Sequence, residues 1–494
     1  MQVKNKKDLV VENKTITIVG GGTAGLVTAL ILATRLNNKI KVIKSDKIGI
    51  VGVGEGSTEH WEDFMNVCDI DVFELIKETD ATVKLGIYFK DWTEKPYFHN
   101  VTSFNQTKIG QFPAGLALNY VEGKEQIYCT DYYTLDNKVK FTTKEAPSRQ
   151  FHFNTFKLVA YLTKKCKAKG VEIIEDEILD VIVDKDGINS LIGKKQTYHS
   201  DFYIDCTGFA KLLMTKLGAK WVSYRKHLKL NEVIAFPTEE TEEYTPFTTA
   251  TAMNSGWMFR LPVWGRWGNG YIYDNNFCTK DEAVEEVEKH LGKKIEVGRH
   301  LHFDPGALDK AWIKNCMASG LGANFVEPLE ASSIATTIHQ AFVFLNHFFP
   351  NNQKEIDTFN NKMNVIMSNI KDFIALHYQV KRKDTDFWKN IKTVNIPDTL
   401  QEKLEVWKYR MAINDDFKDI NYCLFREDNF NCVLYGLGLF DKEYIKKEIQ
   451  KYNPSLIQFC RNKNKKYKKD LDEAAKTNYI SHKEWLSQVR TIYH

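Results

Sequence analysis

Short apolar runs and glycine-rich turns follow one another near the start of the chain in the order of an α/β unit. Residues 15–19, Thr-Ile-Thr-Ile-Val, are β-branched or apolar and end at a glycine, which predicts a buried strand. After the turn, residues 26–36 carry apolar side chains at helical spacing, and residues 39–43 form a second apolar run. The pattern predicts strand, turn, helix and strand, which is how a doubly wound α/β core begins.

The turn between the first strand and the helix has the spacing of a dinucleotide-binding loop. It contains Gly20, Gly22, Thr23, Ala24 and Gly25 in the order Gly-Gly-Gly-Thr-Ala-Gly. The Gly-x-Gly-x-x-Gly spacing lets the backbone turn tightly and approach a pyrophosphate, while the helix N-terminus offers amides to the phosphates. A glycine turn without a ligand is the alternative, and the flanking strand and helix disfavour it. These five residues are therefore predicted to bind a nucleotide cofactor.

The second strand does not end in the residue that this motif usually has. An acid that binds the adenosine ribose is expected there, but position 44 is Lys44, followed by Ser45. We expect Ser45 or a backbone group to bind the ribose instead. Lys44 taken alone suits the 2′-phosphate of NADP, so the loop does not decide between FAD and a nicotinamide cofactor.

Length, charge and cysteine usage exclude several classes of protein. The 494 residues suffice for two or three structural units at the usual ~100–200 residues each. A net charge of +4 provides no strong field for polyanions, so no nucleic-acid partner is expected. The sequence shows neither a signal peptide nor the ~20 apolar residues of a membrane helix. The nine cysteines are odd in number and form no Cys-x-x-Cys pair, which indicates free thiols in a reducing cytoplasm. No metal is expected, because His and Cys show no metal-ligand spacing, and no membrane contact is expected, because no long apolar stretch is present.

Three later segments carry the candidate chemistry. Residues 51–58, Val-Gly-Val-Gly-Glu-Gly-Ser-Thr, contain Glu55 and precede a helix predicted near residues 58–64. Residues 81–92, Ala-Thr-Val-Lys-Leu-Gly-Ile-Tyr-Phe-Lys-Asp-Trp, contain Lys84 and Lys90, and residues 325–334, Phe-Val-Glu-Pro-Leu-Glu-Ala-Ser-Ser-Ile, contain Glu330. From pattern alone, Lys84 lies on the solvent face of a strand, Glu330 caps the following helix, and Glu55 belongs to a capping turn.

Together these segments resemble the flavin-dependent halogenases of the tryptophan-halogenase type. Similar segments at residues 205–209, 311–315 and 433–438 extend the resemblance over roughly residues 15 to 440. The resemblance implies that Lys84, and not Lys90, is the catalytic lysine and that Glu330 is the second catalytic residue. Reduced FAD, O2 and halide then give hypohalous acid, which the lysine hydrogen-bonds or takes up as a haloamine. The glutamate pairs with that acid or accepts the ring proton.

The resemblance also implies the contacts of the cofactor and the halide. Glu55, Ile178 and Ile334 match flavin-contacting positions, and the backbone amides of Ser332 and Ser333 match the halide site. The family commonly has Ser-Thr-Gly where residues 331–333 read Ala-Ser-Ser. A serine side chain in place of glycine leaves halide binding in place and the halide preference open.

A motif of the family, Trp-x-Trp-x-Ile-Pro, is only partly present. It is proposed in the family to keep the site from acting as a monooxygenase. Residues 257–262 read Trp-Met-Phe-Arg-Leu-Pro, so Trp257 and Pro262 are kept and Phe259 replaces the second tryptophan. Phe259 preserves an apolar aromatic wall, and a place for Trp257 in the ordinary core is the alternative.

The substrate side departs from family members that are specific for free tryptophan. Those proteins clamp the indole between aromatic residues, one of them in a His-x-Phe element, whereas this chain has His99 followed by Val101. The C-terminal region provides Phe425 without an evident aromatic pair or amine-binding acid. An electron-rich phenol, indole or related arene is the expected substrate, because electrophilic halogen needs an activated ring and a loose apolar cleft accepts several.

The resulting prediction is a two-component flavin-dependent halogenase that obtains FADH2 from a separate flavin reductase. Its expected fold is an α/β, doubly wound FAD-binding core, discontinuous in sequence, with a mostly helical substrate-binding domain. Residues 1–100 and 151–345 are expected to form the core, the second part with the sheet and halide loop. Residues 101–150 form a substrate-side insertion, and residues 346–494 form the helical covering domain.

Several features stay open at this level. An FAD-dependent aromatic monooxygenase and a non-catalytic flavin-binding protein are the alternative functions, and a homo-oligomer is compatible with the sequence. The abundance of Lys, Asn and Ile hints at a virus-encoded member of the family. His482, in the charged C-terminal tail, is expected at the surface.

Overall fold

The computed structural model of the protein describes residues 14–50, 55–100, 113–124, 135–141, 145–348 and 352–492. Within them, helices alternate with strands at first and predominate after residue 332. The α-helices are α1 (Thr23–Arg35), α2 (His60–Cys68), α3 (Val72–Thr79), α4 (Pro113–Val121), α5 (Thr155–Ala168), α6 (Leu212–Lys216), α7 (Lys280–Leu291), α8 (Ser332–His347), α9 (Gln353–His377), α10 (Asp386–Ile391), α11 (Asp398–Trp407), α12 (Glu427–Leu437), α13 (Lys442–Gln450), α14 (Pro454–Asn478) and α15 (His482–Ile492).

The strands are mostly short and fall into several sheets. They are β1 (Thr15–Val19), β2 (Lys39–Lys44), β3 (Glu55–Gly56), β4 (Thr82–Val83), β5 (Gly86–Lys90), β6 (Tyr97–Asn100), β7 (Lys138–Lys140), β8 (Phe151–Phe153), β9 (Glu172–Glu175), β10 (Ile178–Asp184), β11 (Gly187–Gly193), β12 (Thr197–Tyr198), β13 (Phe202–Asp205), β14 (Trp221–Ser223), β15 (Glu232–Glu239), β16 (Thr248–Ala252), β17 (Gly256–Val263), β18 (Arg266–Tyr273), β19 (Arg299–His302), β20 (Gly306–Leu308), β21 (Trp312–Ile313), β22 (Cys316–Ala318), β23 (Asn324–Phe325) and β24 (Tyr479–Ser481).

The first large sheet has six strands in the order β21-β22-β13-β1-β2-β9, and its neighbours are parallel except for β21 with β22. β1 is buried along most of its length because it lies inside the sheet, which explains its continuous apolar sequence. With β2 on one side and β13 on the other, the carboxyl end of β1 lies at a switch point of the strand order, where such sheets bind ligands. The predicted α/β core, assembled from discontinuous segments, is confirmed.

The second large sheet has seven strands in the order β19-β15-β18-β17-β16-β5-β6, and its neighbours are antiparallel except for β16 with β5. β5 begins two residues after Lys84, β6 contains His99, and β17 contains residues 257–262. A small sheet of β3, β8 and β4 adds the segments just before Lys84 and around Gly56. The small sheet thereby brings the candidate segments of residues 51–58 and 81–92 together.

The C-terminal tail returns to the centre of the molecule. β24 pairs with β7, and α15 packs against α3. His482, at the start of α15, is fully buried, and its Nε2 accepts a hydrogen bond from the backbone N–H of Val83 at 3.1 Å. The expectation that His482 lies at the surface is therefore wrong, because a charged helix sequence does not reveal the pairing of β24 that turns it inward.

Two further expectations concern the described residues only. Their cysteines carry free thiols, and Cys129 lies outside them. No helix in the part of the chain that the structure describes is long and apolar enough to cross a membrane.

Candidate active site

The glycine-rich loop after β1 has room for a dinucleotide. Gly20 has a φ of +120°, and a Cβ built on it would lie 2.1 Å from the carbonyl oxygen of Cys206. A Cβ on Gly25 would lie 1.9 Å from the carbonyl oxygen of Gly20, so glycine is required at both positions. Gly22 has no atom within 4 Å of its Cβ position. The loop is thus closed toward the protein and open toward a neighbouring cavity.

This cavity has a volume of about 1020 Å³ and runs from the loop to the start of α8. The whole glycine loop, together with Thr23 and Ala24, lines it. The other candidate cofactor or halide residues that line it are Ser45, Ile178, Ser333 and Ile334. The backbone of Glu55 pairs with Phe153, while its side chain and residues 51–54 lie outside the description. Its volume and its glycine edge fit a dinucleotide such as FAD.

The acid that β2 lacks is present two residues later. Lys44 Nζ lies 2.5 Å from Asp46 Oδ1, and this hydrogen bond lowers the pKa of Asp46. Both residues line the cavity. The stem of Lys44 packs on Gly21, where a Cβ would lie 2.5 Å from Lys44 Cβ. Because Asp46 offsets the charge of Lys44, the case for a 2′-phosphate at this position is weakened.

Lys84 lies between β4 and β5 with a fully buried side chain. Its backbone N–H donates to the carbonyl of Gln150 at 2.8 Å, and its Nζ donates to the carbonyl of Ser57 at 3.1 Å. Burial lowers the pKa of Lys84 from 10.5 to about 8, while the charge of Glu330 acts in the opposite direction. The solvent-face interpretation of Lys84 is therefore wrong, because β8 and the elements packed on β4 enclose this short segment on all sides.

Glu330 ends a short 3-10 turn, Pro328–Glu330, and is also fully buried. Its Oε2 accepts a hydrogen bond from His99 Nδ1 at 2.7 Å, and its Oε1 lies 2.9 Å from His377 Nε2. Burial alone raises the pKa of a carboxyl, but the imidazoles of His99 and His377 more than offset it and hold the pKa of Glu330 well below its ordinary value. Glu330 is therefore not a solvent-exposed cap of the following helix.

Gly56 shows how the lysine and the start of α8 approach one another. A Cβ built on Gly56 would lie 3.5 Å from Lys84 Nζ and 3.6 Å from Ala331 Cβ. Ala331 has a φ of +51°, and no described side chain caps the helix that follows. The amides of Ser332 and Ser333, expected to bind halide, thus begin α8 close to the lysine.

The residues of the partly kept motif contact both candidate segments. Trp257 Nε1 donates to Glu327 Oε1 at 3.0 Å, and Tyr378 Oη donates to the same oxygen at 2.5 Å. Burial raises the pKa of Glu327 to about 7, against the lowering effect of these two hydrogen bonds. At the other end of β17, the Pro262 carbonyl accepts a hydrogen bond from Thr82 Oγ1 at 2.7 Å. Trp257 is buried as its core interpretation requires, and it also makes a specific hydrogen bond.

The residues expected on the substrate side are only partly described. His99 is fully buried beside Glu330, and its Nε2 lies 3.2 Å from Asn429 Nδ2. Phe425 is buried and stacks on Phe373 with ring centroids 4.1 Å apart. Val101 lies outside the described residues. Phe259 packs its ring over Gly270, where a Cβ would lie 2.4 Å from Phe259 Cε1.

Sequence reasoning did not identify His377, Glu327 or Asp46. His377 and Tyr378 end α9 and meet Glu330 and Glu327, which are three residues apart on one turn. Two polar residues at the end of an amphipathic helix look like a solvated helix terminus. The signal in the sequence was the pair of glutamates flanking Pro328-Leu329. If both are buried, each needs a polar partner from another part of the chain.

Comparison with known proteins gives a consistent family. The family model described as tryptophan halogenase matches residues 15–450. The chain is 30% identical over 446 residues to the tryptophan 6-halogenase SttH of Streptomyces toxytricini, covering 81% of this chain and 85% of that protein. It is 29% identical over 468 residues to the 7-chloro-L-tryptophan 6-halogenase KtzR of Kutzneria sp. (strain 744), covering 86% and 90%.

Solved structures agree with the sequence relatives. Tar14, a tryptophan C-6 flavin-dependent halogenase from taromycin biosynthesis, superposes with a TM-score of 0.87 at 25% identity over 97% of this chain and 100% of that one. A tryptophan halogenase from Shewanella frigidimarina also gives a TM-score of 0.87, at 26% identity over 97% and 98%. The similarity therefore spans nearly the whole chain in both sequence and fold.

Proposed function

We propose that Lys84 and Glu330 are the catalytic residues of this protein, which belongs to the tryptophan halogenase family and is a flavin-dependent enzyme that halogenates an electron-rich aromatic compound. The observation that carries this proposal is the position of the cofactor cavity. Its lining includes Ser333 and Ile334, three and four residues after Glu330, and Lys84 Nζ approaches the same turn across Gly56. An oxidant released at this end of the cavity meets the lysine before bulk solvent.

The proposed cofactor is FADH2, held by Gly20, Gly22, Gly25 and the residues around them. When bound, it supplies with O2 and halide the hypohalous acid that carries the electrophilic halogen. The amides of Ser332 and Ser333 hold the halide, since a helix start without a side-chain cap offers free N–H groups to an anion. A separate flavin reductase provides the reduced cofactor.

The two catalytic residues have different tasks in this proposal. The Lys84 ammonium donates one N–H to the Ser57 carbonyl, and its other N–H groups can orient hypohalous acid. Glu330 takes the proton that leaves the ring when the carbon–halogen bond forms. Both groups are fully buried, which keeps water from consuming the oxidant and strengthens their electrostatic effect.

For the substrate we propose a phenol, an indole or a related arene in preference to free tryptophan. The support is the valine at position 101, and the engagement of Phe425 in a stack with Phe373 rather than toward an open clamp. Residues 101–150 and the helices after residue 352 are proposed to form the substrate side of the enzyme. The core is proposed to comprise residues 1–100 and 151–345.

The test is a reconstituted assay with FAD, NADH, a generic flavin reductase and catalase. A panel of phenols, indoles and free tryptophan is run with chloride, bromide and iodide, and products are identified by mass spectrometry. We expect halide-specific mass gains that disappear in Lys84→Ala and persist in Lys90→Ala, because Lys90 is an exposed lysine of the same segment. FAD binding should be the same in both variants.

The same assay addresses the alternatives. Glu330→Gln should slow turnover by about 10²–10⁴-fold if the carboxylate acts as the base. Undiminished halogenation in Lys84→Ala contradicts the catalytic assignment. A gain of one oxygen that does not depend on halide indicates an aromatic monooxygenase, and flavin binding without any product indicates a non-catalytic flavin protein.

A further inference from the structure

Glu330 lies between two imidazoles, and this arrangement fixes where protons reside. Its Oε2 and Oε1 face His99 Nδ1 at 2.7 Å and His377 Nε2 at 2.9 Å, and all three side chains are fully buried. A buried ionised carboxylate requires compensation by nearby charge or hydrogen bonds. The identity of the compensating group follows from the second ring nitrogen of each histidine.

His99 is held in its neutral form. The Asn429 side-chain oxygen accepts the backbone N–H of Arg426 at 2.8 Å, so the Asn429 amide nitrogen is the group that faces His99 Nε2 at 3.2 Å. An amide nitrogen only donates, which makes His99 Nε2 an acceptor. The single proton of His99 is therefore on Nδ1, where it is donated to Glu330 Oε2.

His377 has a different proton count. Its Nδ1 lies 2.8 Å from the carbonyl oxygen of Phe373, and a carbonyl only accepts, so Nδ1 carries a proton. A neutral His377 would then direct the lone pair of Nε2 at Glu330 Oε1, which is an acceptor as well. Neither of these two atoms has another hydrogen-bond partner among the described residues. The close approach is favourable only if the pair carries one additional proton.

We propose that His377 is a positioning residue that keeps Glu330 ionised as its imidazolium counter-ion, and that Oε1 is the oxygen that accepts the ring proton. This rests on the proposed role of Glu330. Oε2 is already engaged in a short hydrogen bond with His99. The contact of Oε1 with His377 is an ion pair that lacks hydrogen-bond alignment, so the charge is neutralised while Oε1 stays available as an acceptor. Among the described residues, Lys84 and Tyr97 are the other ionisable groups that interact with the carboxylate.

The proton transfer balances without a further reactant. Halogen passes from hypohalous acid to a ring carbon and hydroxide is left. The C–H bond at that carbon then breaks, its electron pair restores the aromatic ring, and the proton bonds to Glu330 Oε1. Transfer of this proton to the hydroxide gives water and returns the carboxylate, with the imidazolium of His377 unchanged throughout.

A first experiment observes the proton directly in the resting enzyme. Protein labelled with ¹⁵N in its histidine rings is examined by NMR at neutral pH, and the His377 signals are assigned by their absence in His377→Gln. We expect an imidazolium pattern for His377, and a neutral pattern at the same residue in Glu330→Gln, where the counter-charge is gone. A neutral His377 in the wild-type protein overturns the proposal.

A second experiment follows kcat against pH. In His377→Gln, Glu330 is held by neutral donors only, which is the situation of the buried Glu327 with its pKa of about 7. We therefore expect an acidic limb near pH 7 in this variant, so that the ratio of its kcat to that of the wild-type enzyme is about tenfold lower at pH 6 than at pH 8. The wild-type enzyme should show no such limb above pH 5. KM for the substrate should change less than twofold.

The control removes a similar histidine far from the site. His347 Nδ1 contacts Glu355 Oε2 at 2.5 Å near the end of α8, so His347→Gln deletes another histidine–glutamate contact and should leave the kcat profile unchanged. An unshifted limb in a folded His377→Gln protein contradicts the proposal. The role of Glu330 itself fails in a different way, through undiminished turnover of Glu330→Gln, and the two failures are thereby distinguished.

Discussion

Replacement of Glu327 by glutamine should change how the stability of the protein depends on pH. Glu327 is 1% exposed, and burial raises its pKa from 4.5 to about 7. Below pH 4.5 the folded and unfolded states both hold this proton. Between pH 4.5 and pH 7 only the folded state retains it, so the free energy of unfolding falls as pH rises through this window and is then constant.

The size of the effect follows from the shift. At 1.36 kcal/mol per unit, a difference of about 2.5 units gives a loss of about 3 kcal/mol between acid pH and pH 8. Glutamine keeps an oxygen that accepts the hydrogen bonds of Trp257 and Tyr378, and it does not ionise. Glu327→Gln should therefore gain about 3 kcal/mol relative to the wild-type protein when both are moved from pH 4.5 to pH 8.

Thermal unfolding at the two pH values measures this difference. For a chain of 494 residues, an unfolding entropy of ~2.1 cal/mol/K per residue converts about 3 kcal/mol into a shift in Tm of about 3 °C. Glu443→Gln, at an exposed glutamate of α13, is the control and should show no pH-dependent difference. A difference in Tm between Glu327→Gln and wild type that is the same at both pH values refutes the reasoning.

Further predictions concern the cofactor loop, the lysine and the tail. Gly22→Ala should fold normally but bind FAD at least tenfold more weakly in a fluorescence titration, because its Cβ enters the cavity. Gly20→Ala should instead reduce Tm, because its Cβ clashes with the carbonyl oxygen of Cys206. Equal Tm values for the two variants would contradict this difference between the two positions. Because the pKa of Lys84 is about 8, kcat should fall as pH rises through 8 if the ammonium orients hypohalous acid, and a rise there assigns a haloamine instead. His482→Phe should lose about 1–3 kcal/mol of stability in urea unfolding by leaving the buried N–H of Val83 unpaired, and His482→Gln should lose less; equal losses argue against this hydrogen bond.

The parts of the fold that sequence could predict are those set by local pattern. β1 and β2 follow from runs of apolar residues, and the loop between β1 and α1 follows from glycine spacing. The burial of Lys84 does not follow from pattern, because β4 and β5 are short and their alternation resembles that of a surface strand. The pairing of β4 with β8, a segment some distance along the chain, is one of the tertiary contacts that enclose the side chain.

Within the candidate site, the proposed catalytic residues could be predicted from the sequence, but the residues that contact them could not. Lys84 and Glu330 stand in segments that resemble a known family, so their identity comes from sequence. His377 reaches Glu330 because α9 ends at this point of the fold, and Asp46 reaches Lys44 through a turn after β2. Such partners depend on tertiary packing, to which a single sequence gives no direct access.

Phe259 can replace the second tryptophan of the motif because β17 contacts the site through hydrogen bonds of other residues. Toward Glu330, the strand acts through the indole N–H of Trp257, which donates to Glu327 three residues earlier in the chain. Toward Lys84, it acts through the backbone carbonyl of Pro262, which holds Thr82 two residues before the lysine. Phe259 contributes only its ring, packed over Gly270, and no polar atom. Because β17 is hydrogen-bonded at one end to the segment of Glu330 and at the other to the segment of Lys84, it sets the distance between these two segments. This role does not depend on which aromatic residue packs at position 259.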